Sequence, residues 1–212
     1  DTLSTRFISP DKSLLGELTL SKQSLPNFEV GVYDTPLLSK MMATLADKVD
    51  FDLIKSPSDE EQPVAFHFTD NNISVDYVLA AIGVIPDVPE MKNVPEFNTL
   101  INIDTQFINS FIRGKSALAD VEHFAVKPVD GGVEFVIGFS DINSNRISIK
   151  VQSGAVKLTE PIVFNANLFK EVLNANKECS KAVLQVSSGG LAHIEFKIDD
   201  FSVKYYLVSQ QV

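Results

Sequence analysis

FNTLINIDTQFINSFIRGKSALADVEHFAV, residues 97–126, is the stretch from which the fold is read, because its pattern recurs elsewhere in the chain. Leu100, Ile101 and Ile103 make a short apolar strand. Asp104 and Thr105 then offer a side-chain oxygen to the free amides that open a helix. Phe107, Ile108, Phe111 and Ile112 form one apolar stripe, while Gln106, Asn109, Ser110 and Arg113 face the other way. Gly114 to Ser116 breaks the helix pattern, and Val121, Phe124 and Val126 resume in an extended, half-buried style. The unit is strand, amphipathic helix, strand.

Two further copies flank it. Phe28 to Tyr33 reads as a strand and Asp34, Thr35 and Pro36 as a helix start. Leu37, Leu38, Met41, Met42 and Leu45 are the stripe, and Val49, Phe51 and Leu53 an outgoing strand. In the third copy Ile162 to Phe164 precede a start at Asn165 to Asn167, a stripe of Leu168, Phe169, Val172 and Leu173, and a strand at Val183 to Val186. The starts DTPLLSKMM, DTQFINSFI and NANLFKEVL superpose without a gap. A period of sixty to seventy residues exceeds a solenoid unit, so each copy is half of an α+β domain. Pairing the copies two by two leaves the one at Phe28 needing an earlier partner. The hairpin predicted at Thr5 to Ser9 and Leu14 to Leu20 is then the tail of a first copy lacking its helix and about 30 to 40 residues.

Between the copies, Pro57 to Gln62 reads as an acidic surface loop, and Val64 to Phe68 with Ile73 to Ala81 as a hairpin around Asp70 to Asn72. Gly132 to Ser140 and Arg146 to Gln152 make another, and Leu191 to Ile198 with Phe201 to Val208 the last. Gly83 to Glu96 carries three prolines, which exclude a central strand or helix interior, yet its Val84, Ile85, Val88, Met91 and Val94 are too apolar for a solvated tether. The division expected is 1–83 for a first domain, 84–96 for a connector packed along a surface, and 97–212 for a second domain.

The chain has 44% hydrophobic residues, ample for a core, and no run of about 18 apolar residues of the kind that spans a membrane. The first residues lack the basic start and apolar segment of a signal peptide, so a cytoplasmic location is expected. A lone Cys179 makes no internal disulfide and reads as a small buried side chain.

The net charge of −10 is unevenly spread. The helix windows 35–48, 105–116 and 166–181 hold Lys40, Lys48, Arg113, Lys115, Lys170, Lys177 and Lys181 against only Asp47, Glu171 and Glu178. The helices are therefore net positive in an acidic body, as solvated helix faces or as an anion-facing surface.

Signs of chemistry are few. His67, His123 and His193 each stand without a second ligand at metal spacing. Asp141, Asn143 and Asn145 imitate the start of a calcium loop, but Arg146 replaces the required Gly and Gln152 the bidentate Glu. No GxSxG elbow, Gly-rich phosphate loop or paired Cys and His occurs, and the glycine pairs at 131–132 and 189–190 read as turns. No catalytic residue, metal or cofactor is expected.

FEVGVYDTPLLSKMMATL, INIDTQFINSFIRG and VIGFSDINSNRISIKV, in that order, resemble the DNA polymerase sliding clamps, closest to the processivity clamp of T-even-like bacteriophages, from Thr5 to Val208. The resemblance implies an α+β, two-domain clamp fold with helices inside and sheets outside. It implies a non-enzymatic ring of three identical chains around double-stranded DNA, in the cytoplasm of a host cell, with a replicative polymerase and a clamp-loader ATPase as partners. The seven helix cations above would face phosphates without reading bases. Subunits would join strand to strand at Ile73, Val75 and Tyr77 on one side and Ile147, Ile149 and Val151 on the other. A partner's apolar peptide would bind Val84, Ile85, Val88, Met91 and Val94 together with Tyr205, Tyr206 and Leu207. The competing readings are a viral structural or assembly adaptor that binds protein only, and an enzyme with a carboxylate site.

Overall fold

The computed structural model describes residues 2–21, 27–46, 48–91, 94–140, 142, 144–154, 156–179 and 181–211. Its helices start at the predicted caps. Asp34 accepts a hydrogen bond from the Leu37 amide at 2.8 Å and opens α1, Thr35–Met42. Asp104 accepts from Phe107 at 2.7 Å and opens α2, Thr105–Ala117. Asn165 accepts from Asn167 and Leu168 at 2.9 and 3.0 Å and opens α3, Ala166–Ala175. One side-chain oxygen thus occupies an otherwise unpaired amide at each start.

Gly114 does not end α2 as its sequence context suggested. A Cβ there would lie 3.1 Å from Ile137 and 3.2 Å from Ile147, so the missing side chain lets the helix lie close on the sheet below it.

By backbone proximity the chain forms two compact units, 1–24 with 90–212, and 25–89. These do not follow the expected boundaries 1–83, 84–96 and 97–212. The hairpin of β1 (Thr2–Ile8) and β2 (Leu14–Ser21) is hydrogen-bonded not to the residues after it but to the last strand of the chain.

In the larger unit the remaining strands are β6 (Thr99–Asp104), β7 (His123–Val129), β8 (Gly132–Ile137), β9 (Ile147–Gln152), β10 (Ile162–Asn165), β11 (Lys181–Ser187), β12 (Leu191–Ile198) and β13 (Phe201–Val208). They form a six-stranded sheet ordered β1-β2-β13-β12-β11-β6 and a four-stranded sheet ordered β10-β7-β8-β9. Every pairing is antiparallel. Alternation sends Ile101, Ile103, Leu184, Val186, Ile194, Phe196, Val203, Tyr205 and Leu207 to the buried face of the larger sheet.

The helix stripes join that core. Phe111 of α2 lies 4.9 Å from Phe169 of α3 and 5.1 Å from Phe124 of β7, ring centre to ring centre. Such edge-on packing adds to the burial of each ring, itself worth roughly 1.5–3 kcal/mol.

The smaller unit holds α1 and a three-stranded sheet of β3 (Asp50–Ser56), β4 (Asp59–Thr69) and β5 (Ser74–Val78). The acidic stretch after Ser56 is not the predicted loop through Gln62. The chain turns at 57–58 and enters β4 at Asp59, with register shifts near Lys55 absorbing the mismatch. Phe28 to Tyr33 is not a strand either; among the described residues it pairs through one bridge, Gly31 to Ala80. Its counterpart β10 is held by β7, whereas among the described residues no strand stands beside 27–33 in that way. No residue of α1 is buried, although its stripe is in place: α2 and α3 cover each other, whereas α1 is the only α-helix among the described residues of its unit.

Candidate functional site: helix faces, connector and sheet edges

The helix cations separate into three groups. Lys40 on α1 and Arg113 on α2 are exposed, and Lys170 on α3 is half-buried. Each stands on the polar side opposite the stripe. The Arg113 guanidinium lies along its helix, Nε donating to the Asn109 carbonyl at 3.3 Å, and Gln106, Asn109, Asn167 and Asn174 extend the same uncharged polar surface. Among the described residues none of the three cations is held in an ion pair.

Lys48, Lys177 and Lys181 are exposed but off the helices, which end earlier than the expected windows. Lys48 precedes β3, Lys177 follows α3 in a turn, and Lys181 is the first residue of β11.

Lys115 is a correction. It is 3% exposed, and its Nζ donates to the carbonyls of Leu118 and Ala119 at 3.3 and 2.8 Å. The last carbonyls of a helix lack intrahelical partners, and the lysine stem reaches forward to satisfy two just beyond its end. Lys115 closes α2 and faces no ligand. Lys115→Met is expected to cost about 1–2 kcal/mol in urea unfolding, with duplex binding unchanged.

Glu90 of the connector and Phe97 just after it lie along the outer face of the six-stranded sheet. Glu90 is 3.7 Å from Arg6 of β1. The Phe97 ring lies 5.7 Å from the His193 ring on β12, which lies 4.7 Å from Tyr206 on β13. His193 Nδ1 is hydrogen-bonded to Gln185 at 2.8 Å, its Nε2 is buried without a partner among the described residues, and burial pushes its pKa down against the opposing effect of Glu195.

Within each unit the apolar connector residues are only partly covered. Val84 and Val94 are 60% and 43% exposed, and Val88 and Met91 are half-buried. Ile85 is tied to Gly31, where an added Cβ would come within 2.8 Å of it.

The C-terminal group must be revised. Tyr205 and Leu207 are buried at 8% and 2% exposure, with the Tyr205 hydroxyl accepting from Asn176 at 3.0 Å. A period of two leaves only Tyr206 of the three on the outer face. Val208, at the end of the strand expected to take part, is exposed and apolar; Ile82, similarly exposed, was not anticipated, nor was the ring stack of Phe97, His193 and Tyr206, which only the strand register brings together.

The two sheet edges offer a different chemistry. β5 is one of the two outermost strands of the three-stranded sheet, opposite β3, and β9 one of the two of the four-stranded sheet, opposite β10. The Leu79 amide bonds to Val64 of β4 and the Ala80 amide to Gly31 on the other side. Since backbone groups alternate along a strand, those of Ser74, Asp76 and Val78 point to the open side. The Ser153 amide bonds to Gly131 beside β8, so in β9 the open groups belong to Ser148, Lys150 and Gln152.

Ile73 is 40% exposed, but Val75 and Tyr77 are buried, and Ile147, Ile149 and Val151 are half-buried against their own sheets. The residues predicted for these edges therefore support the strands from below. The open backbone groups come from the positions between them.

Of the calcium-like stretch, Asp141 and Asn143 lie outside the described residues. Cys179 is buried and its thiol donates to the Lys181 carbonyl at 3.1 Å. Among the described residues no helix is long and apolar enough to cross a membrane.

No family model matches the chain, and no curated protein matches it by sequence. Solved structures do match. The proliferating cellular nuclear antigen of Entamoeba histolytica superposes with a TM-score of 0.74 at 16% identity, over 98% of this chain and 85% of that one. A structure of the PCNA2–PCNA3 complex from Sulfolobus tokodaii gives 0.71 at 12%, over 99% and 89%. PCNA of Thermococcus kodakaraensis gives 0.72 at 13%, over 99% and 87%. The chain is similar to these proteins in fold, and this α+β clamp fold is the one that the resemblance implied.

Proposed function

We propose that this chain is a non-enzymatic subunit of a DNA sliding clamp, a ring around duplex DNA that tethers a replicative polymerase. The clamp fold supports the reading, and so does the joint between β2 and β13, where a hairpin from one end of the chain extends a sheet from the other by seven residue pairs. The open edges of β5 and β9 are the two halves of a second such joint, to be made with neighbouring copies. Repeating it head to tail closes a ring, which we take to be a homotrimer, as the likeness to T-even-like phage clamps suggests. In that frame residues 1–83 and 97–212 supply the two clamp domains and 84–96 the connector.

The polar faces of α1, α2 and α3 line the hole, with Lys40, Arg113 and Lys170 meeting phosphates and Lys48, Lys177 and Lys181 adding to the field. The acidic remainder discourages DNA elsewhere. Val84, Val88, Met91, Val94 and Tyr206 take the short apolar segment of a polymerase or other partner, and a clamp-loader ATPase opens the ring. The Sulfolobus neighbour, itself a complex of two PCNA proteins, is in keeping with assembly from several chains. If the chain is viral, it works in the host cytoplasm.

Sedimentation over a wide concentration range, with polymerase extension of a long primed template, tests the reading. Assembly beyond the monomer with longer products supports it. A monomer at every concentration with no stimulation overturns it.

A further inference from the structure

The β2–β13 joint carries opposite charges on its two strands, and the two open edges carry the same signs exchanged. Within the chain, Lys204 of β13 stands opposite Glu17 of β2. Both sit on the outer face, half-buried. The strand corresponding to β13 in the smaller unit is β5. Phe66 opposite Tyr77 and Phe68 opposite Val75 repeat, 128 residues on, as Ile194 opposite Tyr205 and Phe196 opposite Val203. Asp76 therefore occupies the position of Lys204. The strand corresponding to β2 is β9: Ser21 and Gln152, their last residues, both lie thirteen residues before a helix cap, Asp34 and Asn165. Its cation is Lys150, at the place of Thr19.

Transferring the internal register to a joint between two copies sets Ser74 opposite Lys150 and Asp76 opposite Ser148. Lys150 is then the diagonal neighbour of Asp76, about 7–8 Å away between backbones and within reach of a lysine. Both side chains are exposed, and His67 of β4 bonds the Asp76 carboxylate at 2.5 Å and orients it.

We infer that Asp76 and Lys150 select the partner edge when copies of this chain associate, a specificity role that rests on the ring reading above. An open strand edge pairs with any other, including its own image. β5 against β5 about a twofold axis at Asp76 sets Asp76 opposite Asp76, and β9 against β9 about Lys150 sets Lys150 opposite Lys150. Like charges disfavour both of these closed dimers, whereas β5 against β9 joins opposite charges and leaves one open edge of each kind. That is the requirement for head-to-tail growth into a ring. The second copy recognises sign as well as backbone.

The test compares association by sedimentation velocity for the wild type, Asp76→Lys, Lys150→Asp, the double exchange, and Asp52→Lys, which makes the same charge change on the exposed face of β3, away from the open edge of β5. Far-ultraviolet circular dichroism confirms that each variant is folded. The inference expects each single exchange at the edges to weaken association about tenfold, the double exchange to return within about twofold of wild type, and Asp52→Lys, at a residue that stands opposite His67 and reaches Asp76 only through it, to weaken association less than Asp76→Lys. If the wild type assembles and the single exchanges assemble equally well, or the double exchange is weaker than either, the charge selection is wrong while the ring stands. A wild type that stays monomeric, or stops at a twofold dimer, overturns the ring reading and this inference together.

Discussion

Reversing Arg113, Lys170 and Lys177 to Glu in one chain is expected to weaken duplex binding by at least about a hundredfold at low salt, and to flatten its dependence on salt. Arg113 and Lys170 stand on the polar faces of α2 and α3, and Lys177 on the turn that follows α3. Neither stripe is touched, because Phe107, Ile108 and Phe111 on α2, and Phe169, Val172 and Leu173 on α3, occupy the opposite sides. Binding that depends on phosphates alone releases one counterion for each contact, so the slope of log affinity against log salt should fall by about one for each residue reversed. Fluorescence anisotropy with a short duplex, from about 25 to 200 mM salt, gives both quantities, and extension of a primed template shows whether processivity falls with them. The Lys115→Met variant is the internal control: another cation of α2 is lost, but one spent on the Leu118 and Ala119 carbonyls. Duplex binding and slope unchanged by the three reversals would instead favour the adaptor that binds protein only.

The second large effect concerns stability. Phe111→Ala should lower the unfolding free energy of the larger unit by about 3–5 kcal/mol, a large part of the roughly 5–15 kcal/mol typical of a whole domain. The ring is fully buried and packs against Phe107, Phe124 and Phe169 at 6.1, 5.1 and 4.9 Å. Its neighbours belong to two helices and a sheet, so they are unable to close over the vacated space together. Met41 holds the same place in the α1 repeat, seven residues after its cap, but is only half-buried. Met41→Ala should cost about 1 kcal/mol. Urea unfolding followed by tyrosine fluorescence and circular dichroism checks both. Equal losses at the two positions would mean that the α1 stripe is covered as fully as that of α2.

Residues 97–126 show why some features were legible in sequence. Asp104, the spacing of Phe107, Ile108 and Phe111, and the alternation of Leu100, Ile101 and Ile103 each act over a few residues, so their patterns survive in the linear chain. The same holds for the caps at Asp34 and Asn165 and for the hairpins. The alternation that buries Tyr205 and Leu207 and sends Tyr206 to the outer face is equally local, and it excludes a contiguous patch over 205–207.

What the sequence determined by itself is the set of locally specified units: three capped amphipathic helices, the alternating strands around them, and their repetition. The tertiary structure decided which units share a sheet, because backbone hydrogen bonds between strands carry no address in a single chain segment. Only the assembled fold sends the hairpin 2–21 to β13, holds 28–33 by a single bridge among the described residues, and places β5 and β9 at sheet edges. It also decided the fate of single side chains. Arg113 and Lys115 lie two residues apart on one helix, but the chain that folds back after α2 offers carbonyls to the second and nothing to the first but its own helix. Charge counted along a sequence gives the number of cations. Their availability depends on which backbone groups the fold leaves unsatisfied nearby.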